Sequence, residues 1–356
     1  MQNPFKFGAV VEKEFFTDRE KEAKEAKGVL ESSNHLILIS PRRYGKTSLV
    51  LKVVEPLKRP LIYLDLQITT DAADMATQLL KRVLRINKWE NVKKTIAGFR
   101  IVPTVELNPL TNGVDVTFRP SVGSGFTPLE DVLNLIDKVG EKGKRPIVVL
   151  DEFQEIASLD ENLPKQLRSV IQHHTHVNYV FLGSAESMMR QIFESKKSPF
   201  YHFGYLMTMD KIPYANFLRY LETRFAKVTS HARVVAEKIL DFTDRHPYYT
   251  QQLAYYCYAF LDDDDGCCED IIDCVVNRIV ETHGNDFEKL WNTISKTDKR
   301  ILIMLSEGEK TSSVLQPAST VYSGLKRLTK QGFVVKNKTY EIDDPFFAKW
   351  IAGKRA

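Results

Sequence analysis

Short apolar runs alternate with amphipathic stretches through the first half of the chain, and this alternation predicts a parallel sheet covered by helices. The expected strands are Leu36 to Ile39, Leu61 to Leu66, Ile147 to Leu150, Tyr179 to Leu182 and Leu206 to Met209. Between Phe99 and Phe118 the pattern changes to strict alternation around Thr111-Asn112-Gly113. Asn-Gly between alternating segments is a hairpin signal, so a β-hairpin inserted at the rim of the sheet is expected near 99–118. From Pro213 the apolar spacing becomes helical, through Phe217, Leu218, Leu221 and Phe225, then Val235, Ile239 and Phe242. Near Lys296 a third pattern begins: a helical stretch at Ile301 to Leu305, another at Ser319 to Lys330, and two short runs, Phe333 to Val335 and Thr339 to Ile342. Helices followed by a two-stranded wing describe a winged helix-turn-helix, and Gly332 fits the left-handed position that closes a helix. The expected domains are 1–212 around the sheet, 213–295 helical, and 296–356 winged helix.

Composition narrows the class. With 43% hydrophobic and 27% charged residues over 356 positions, the chain reads as an ordinary globular protein long enough for more than one core. No stretch of about 18 apolar residues appears, so neither secretion nor membrane spanning is expected. Cys257, Cys267, Cys268 and Cys274 lack paired C-x-x-C spacing and read as reduced thiols of a cytoplasmic protein. The acidic tract Asp262 to Asp265, before Gly266, reads as a solvated loop. The net charge of +4 is small, yet Lys296 to Ala356 holds 12 Lys and Arg against 6 Asp and Glu, leaving −2 for the remainder. Lys326, Arg327 and Lys330 on the second helix, with Lys336 and Lys338 on the wing, can therefore meet nucleic-acid phosphates or form the solvated face of a protein-docking module.

The most specific chemistry lies at Ser40-Pro41-Arg42-Arg43-Tyr44-Gly45-Lys46-Thr47-Ser48, immediately after an apolar strand and at the start of a helix. Backbone N–H groups there can surround phosphate, Lys46 can reach terminal phosphates, and the Thr47 hydroxyl can ligate Mg2+. Ser40 stands where the G-x-x-x-x-G-K-[ST] pattern has its first glycine. A second apolar strand ends in Asp151-Glu152, supplying one carboxylate for the magnesium shell and one to polarise the attacking water. A third ends at Gly183-Ser184, where Ser184 would either sense the terminal phosphate or serve as a turn residue. The fold class expected is α/β: a P-loop NTPase parallel sheet with helices on both faces, followed by a helical lid domain and a winged helix-turn-helix.

Taken together, Phe16 to Glu22, Pro41 to Leu49, Val149 to Glu155 and Tyr340 to Trp350 resemble, in order, the signatures of the archaeal-type ATPases of the STAND group, relatives of AAA+ proteins. The resemblance implies a cytoplasmic ATPase that binds ATP or ADP with Mg2+, a slow switch with Lys46, Glu152 and Ser184 in catalysis and Thr47 and Asp151 at the metal. It also implies nucleotide contacts from Phe16, Arg19 and Pro247, although Phe16 reads equally as core and His246-Pro247 as a helix start. Many relatives carry Gly-Arg after Ser198-Pro199-Phe200-Tyr201, where this chain has His202-Phe203. A missing arginine implies low basal turnover, with Arg168, Arg190 or a neighbouring subunit as alternative cation sources. The other reading is a DNA-binding regulator in which nucleotide is structural.

Overall fold

A computed structural model describes residues 2–8, 18–87, 89–100, 102–108, 113–118, 126–262, 271–308, 317–336 and 339–354. Phe16, the Thr111-Asn112 turn, Asp263 to Cys268 and Lys338 lie outside the described residues. The strands are β1 (Leu36–Ile39), β2 (Leu61–Asp65), β3 (Thr104–Asn108), β4 (Gly113–Thr117), β5 (Ile147–Asp151), β6 (Asn178–Gly183), β7 (Tyr205–Thr208), β8 (Val334–Lys336) and β9 (Tyr340–Ile342).

Five of them form one sheet in the order β2-β5-β6-β1-β7, with every pairing parallel. The three central strands β1, β5 and β6 are buried at every position, as strands covered on both faces must be. Each fully buried Leu or Ile there contributes roughly 1.5–3 kcal/mol. The two edge strands expose part of their residues. Among the described residues, strands β3 and β4 pair only with each other, antiparallel, in register from Thr104 opposite Thr117 to Asn108 opposite Gly113. The hairpin is thus a separate ribbon, and its Val116 enters the same apolar core as Leu79, Leu80, Val148 and Phe181.

The chain divides into two compact units, one of Arg19–Pro41 with Lys46–Asp210, the other of Met1–Asp18, Arg42–Gly45 and Lys211–Ala356. The second unit has its own core, in which Phe217, Leu221 and Phe225 join Ile239, Leu253, Ile301, Leu325, Leu328 and Phe346. Its last part consists of the helices Lys296–Ser306 and Ala318–Lys330, the antiparallel pair β8–β9, and the helix Pro345–Gly353. The helix Ala318–Lys330 ends in a Schellman closure: Gly332, at φ 80°, donates to the Thr329 carbonyl at 3.1 Å and Phe333 donates to that of Leu328 at 2.9 Å. Among the described residues, no helix is long and apolar enough to cross a membrane.

Candidate functional site

Parallel strands present their carboxyl ends on one edge of the sheet, and the loops leaving those ends are where open α/β sheets place ligands. β1 leads into Ser40 and Pro41, and Lys46–Val54 is the helix that follows. The turn in between is made by Arg43 and Gly45, both left-handed at φ 63° and 89°. Glycine is required at 45 because a Cβ strains that conformation. Ser40 has no positive φ, is fully buried, and donates its hydroxyl to the Pro41 carbonyl at 3.3 Å, so a side chain is accommodated at this position. Lys46 Nζ is buried and donates to the carbonyls of Ser40 at 2.9 Å and Pro41 at 3.0 Å. Its ammonium therefore lies along the loop, beside the helix N-terminus. Ser48 is also buried, on the first turn of that helix.

The Thr47 hydroxyl donates to Asp151 Oδ2 at 2.9 Å, tying the phosphate-loop helix to the end of β5. Asp151 also accepts from the Tyr63 hydroxyl and, through Oδ1, from the Glu152 N–H at 2.9 Å. Glu152 follows in a left-handed conformation, φ 50°, that costs a non-glycine residue on the order of 1 kcal/mol or more. What holds it is the next residue: Phe153 is fully buried with its ring 4.6 Å from Phe181 and 5.3 Å from Phe200. The strained turn directs the Glu152 carboxylate to Ser184, whose hydroxyl donates to Oε2 at 2.6 Å, and to the Gln154 amide. Ser184 reaches it because β6 lies next to β5 in the sheet.

Sequence reading does not single out Tyr63, Asp65 or Gln154. Register pairs Asp65 directly with Asp151. Burial pushes the Asp65 carboxyl above its ordinary range, the neighbouring charges of Asp151, Glu152 and Glu155 push the same way, and the Gln67 N–H opposes them. An apolar run ending in a carboxylate marks Asp65 as it marks Asp151; the reach of Tyr63 depends on strand pairing and carries no local signal. Hydroxyl and carboxylate oxygens at the Thr47–Asp151 contact are the hard donors Mg2+ prefers, and among the described residues no group of three His, Cys, Asp or Glu side chains could chelate a metal. That donor set fits an ion completed by phosphate and water oxygens.

Other expected residues are placed differently. Arg19 is buried, donating to Glu22 at 2.7 Å and to the Asp210 carbonyl at 2.6 Å, a tie within the first unit. Pro247 opens the helix Pro247–Asp262. Arg327 is fastened to the buried Asp298 at 3.2 and 2.8 Å. Arg190 pairs with Glu194 at 2.9 Å, and Arg168 lies over the Phe203 ring, 4.2 Å from its centroid. Phe203 stands just before β7 and 4.7 Å from the ring of His35, just before β1, hence at the amino end of the sheet. A side chain at 203 therefore faces away from this chain's own phosphate loop. His202, at φ 52°, holds a left-handed conformation.

Comparison with known proteins supports the geometry. The family described as an ATPase domain predominantly from Archaea matches residues 16–253. An uncharacterized ATP-binding protein of Pyrococcus abyssi is 27% identical over 194 residues, 49% of this chain and 54% of that protein. Another from Methanocaldococcus jannaschii is 26% identical over 183 residues, 46% of this chain and 47% of that protein. The chain spans about half the length of the curated relatives it matches. Among solved structures, a Walker-type ATPase of Pyrococcus abyssi has a TM-score of 0.63 at 18% identity, covering 95% of this chain and 97% of that one. The Aeropyrum pernix ORC1 protein in complex with DNA has a TM-score of 0.51 at 13% identity, covering 95% and 93%. At these identities the structural likeness establishes the fold, that of the P-loop ATPases.

Proposed function

Since this chain belongs to the family of ATPase domains found predominantly in Archaea, we propose that it hydrolyses ATP slowly to ADP and phosphate, as a nucleotide-dependent switch. The observation that carries this reading is the chain of contacts Thr47–Asp151–Glu152–Ser184, which gathers a metal-type oxygen pair and a strained, oriented carboxylate at adjacent strand ends. Pro41 to Ser48 would surround the phosphates with main-chain N–H groups, and Lys46 would set its ammonium against the terminal ones. Thr47 and Asp151 would hold Mg2+, which when bound neutralises charge on the phosphate oxygens. Glu152, held by Ser184 and Gln154, would accept the proton of the water that attacks the terminal phosphorus as the bond to the bridging oxygen breaks. Position 203 holds a phenylalanine at the amino end of the sheet, so it supplies no arginine to the reaction, and the isolated chain should turn over below about 10 per second.

Glu152→Gln should keep ATP affinity within about threefold and lower phosphate release by a factor of about 10² or more, read by calorimetry beside a phosphate-release assay. Hydrolysis at the parent rate would overturn the role of Glu152.

A second reading, DNA binding with nucleotide as a structural ligand, draws on one surface. Tyr322, Lys326 and Lys330 lie one helical turn apart on the exposed face of the helix Ala318–Lys330, which we read as the recognition helix of a winged helix. The ORC1 protein matched in fold is a DNA complex. Replacing Lys326 and Lys330 should flatten the salt dependence of duplex binding by roughly 0.9 per lost phosphate contact. No duplex binding at low salt, with or without nucleotide, would end this reading and leave the helix as a protein-docking surface.

A further inference from the structure

The tip of the phosphate loop, Arg42–Gly45, is grouped with the second unit, and its side chains show why. Arg43 Nη1 donates to the Tyr249 hydroxyl at 3.0 Å. The same guanidinium lies 4.5 Å from the centre of the Tyr248 ring and 5.7 Å from that of Tyr249. The Tyr249 ring in turn meets that of Phe346, centroids 6.1 Å apart, and Asp344 Oδ1 caps the helix Pro345–Gly353 through the N–H groups of Phe346 at 2.9 Å and Phe347 at 3.1 Å. Next along the loop, Tyr44 is buried with its ring edge-on to His246, centroids 4.9 Å apart, and His246 Nε2 stands 3.6 Å from Asp343 Oδ1. Arg43 adopts a left-handed φ of 63°, unfavourable for a residue with a side chain, and such conformations persist where the surroundings over-determine them. A hydrogen bond and two ring faces meet that condition.

We propose that Tyr249 is a positioning residue for the phosphate loop: by holding Arg43 it fixes the turn that aims the loop's N–H groups, and so sets part of the affinity for the phosphates of a nucleotide. The proposal rests on the nucleotide-binding reading above. Coupling of this kind is reciprocal, so nucleotide in the loop also stabilises the seating of Arg43 on Tyr249. Tyr249 acts through Arg43.

The test is calorimetric titration of Mg·ADP into the full chain carrying Tyr249→Phe. Phenylalanine keeps the ring packing and loses the hydroxyl. The change should weaken binding by about three- to tenfold, the range of one lost hydrogen bond. In an Arg43→Ala background the same change should have no further effect, because the interaction it removes is already gone. That dependence separates positioning from a general loss of stability, which would lower affinity in both backgrounds. Parent-like affinity in the variant, or equal losses with and without Arg43, overturns the proposal while leaving the nucleotide-binding reading intact. Absence of Mg·ADP binding by the parent overturns both.

Discussion

The two ends of the same parallel sheet are built to opposite rules. At the amino end, the buried side chains of His35, His174 and Asn178 are hydrogen-bonded and neutral. His35 Nδ1 accepts from the Tyr179 N–H at 3.2 Å, and His174 pairs with the Tyr179 hydroxyl at 2.8 Å. Asn178 donates to the carbonyls of Ser32 and Asn34 at 3.1 and 2.8 Å while accepting from Arg59. Burial, reinforced by the positive charges of Arg168 and Arg145, lowers the His35 pKa from 6.5 to about 4, keeping the ring neutral. At the carboxyl end, three carboxylates of Asp65, Asp151 and Glu152 crowd together, and one of them stands on a left-handed residue. The carboxyl end thus gathers like charges that burial disfavours, at the edge where open α/β sheets generally place ligands.

Changes at the two ends should therefore differ in kind. The largest effect is expected from Lys46→Ala, which removes the ammonium beside the loop and should lower ATP affinity by about a thousandfold, ~4 kcal/mol, with the thermal midpoint of the nucleotide-free protein changed little. A parent-like dissociation constant in calorimetry would break the assignment of the carboxyl end.

Next in size is the pH dependence written into His35. Its folded pKa is depressed, so the stability it supports is complete above pH 6.5 and is lost as pH falls from 6.5 toward about 4, up to ~3 kcal/mol. In His35→Asn, denaturant titrations should show that part of the acid slope missing, whatever the variant's stability at pH 8. A slope unchanged from the parent would show that the amino end is not the neutral layer described.

The smallest effect should come from Asp65→Asn. A raised carboxyl pKa means that the fold penalises the ionised form, so the penalty is present above the folded pKa and vanishes below the ordinary 3.8. The variant should accordingly melt ~1–2 °C higher than the parent at pH 8, with no gain near pH 4. Melting lower at pH 8 would mean that Asp65 stabilises the edge and that the comparison is drawn too sharply.

How far these ends could be read from the sequence follows from what each depends on. β1, β5 and β6 are legible because a strand buried on both faces is an unbroken apolar run, and Gly45-Lys46-Thr47 after such a run is legible because the motif and its context coincide. Asp151 and Glu152 follow from the same logic. The contacts of Tyr63 and the crowding around Asp65 are set by the register of β2 on β5, which joins residues some 86 positions apart. Arg327 looks like a phosphate ligand in a basic helix, but its partner Asp298 is a buried residue 29 positions earlier. The substitution at Phe203 is visible in sequence, while its place at the amino end of the sheet is a property of topology.

Hydrogen–deuterium exchange with and without Mg·ATP tests the division most directly, since it reads both ends of every strand in one experiment. The account predicts protection at residues 40–48, 151–154 and 184, and no change around His35, His174 to Tyr179 and Phe203. Protection at the amino end, or none in the phosphate loop under saturating Mg·ATP, would contradict it.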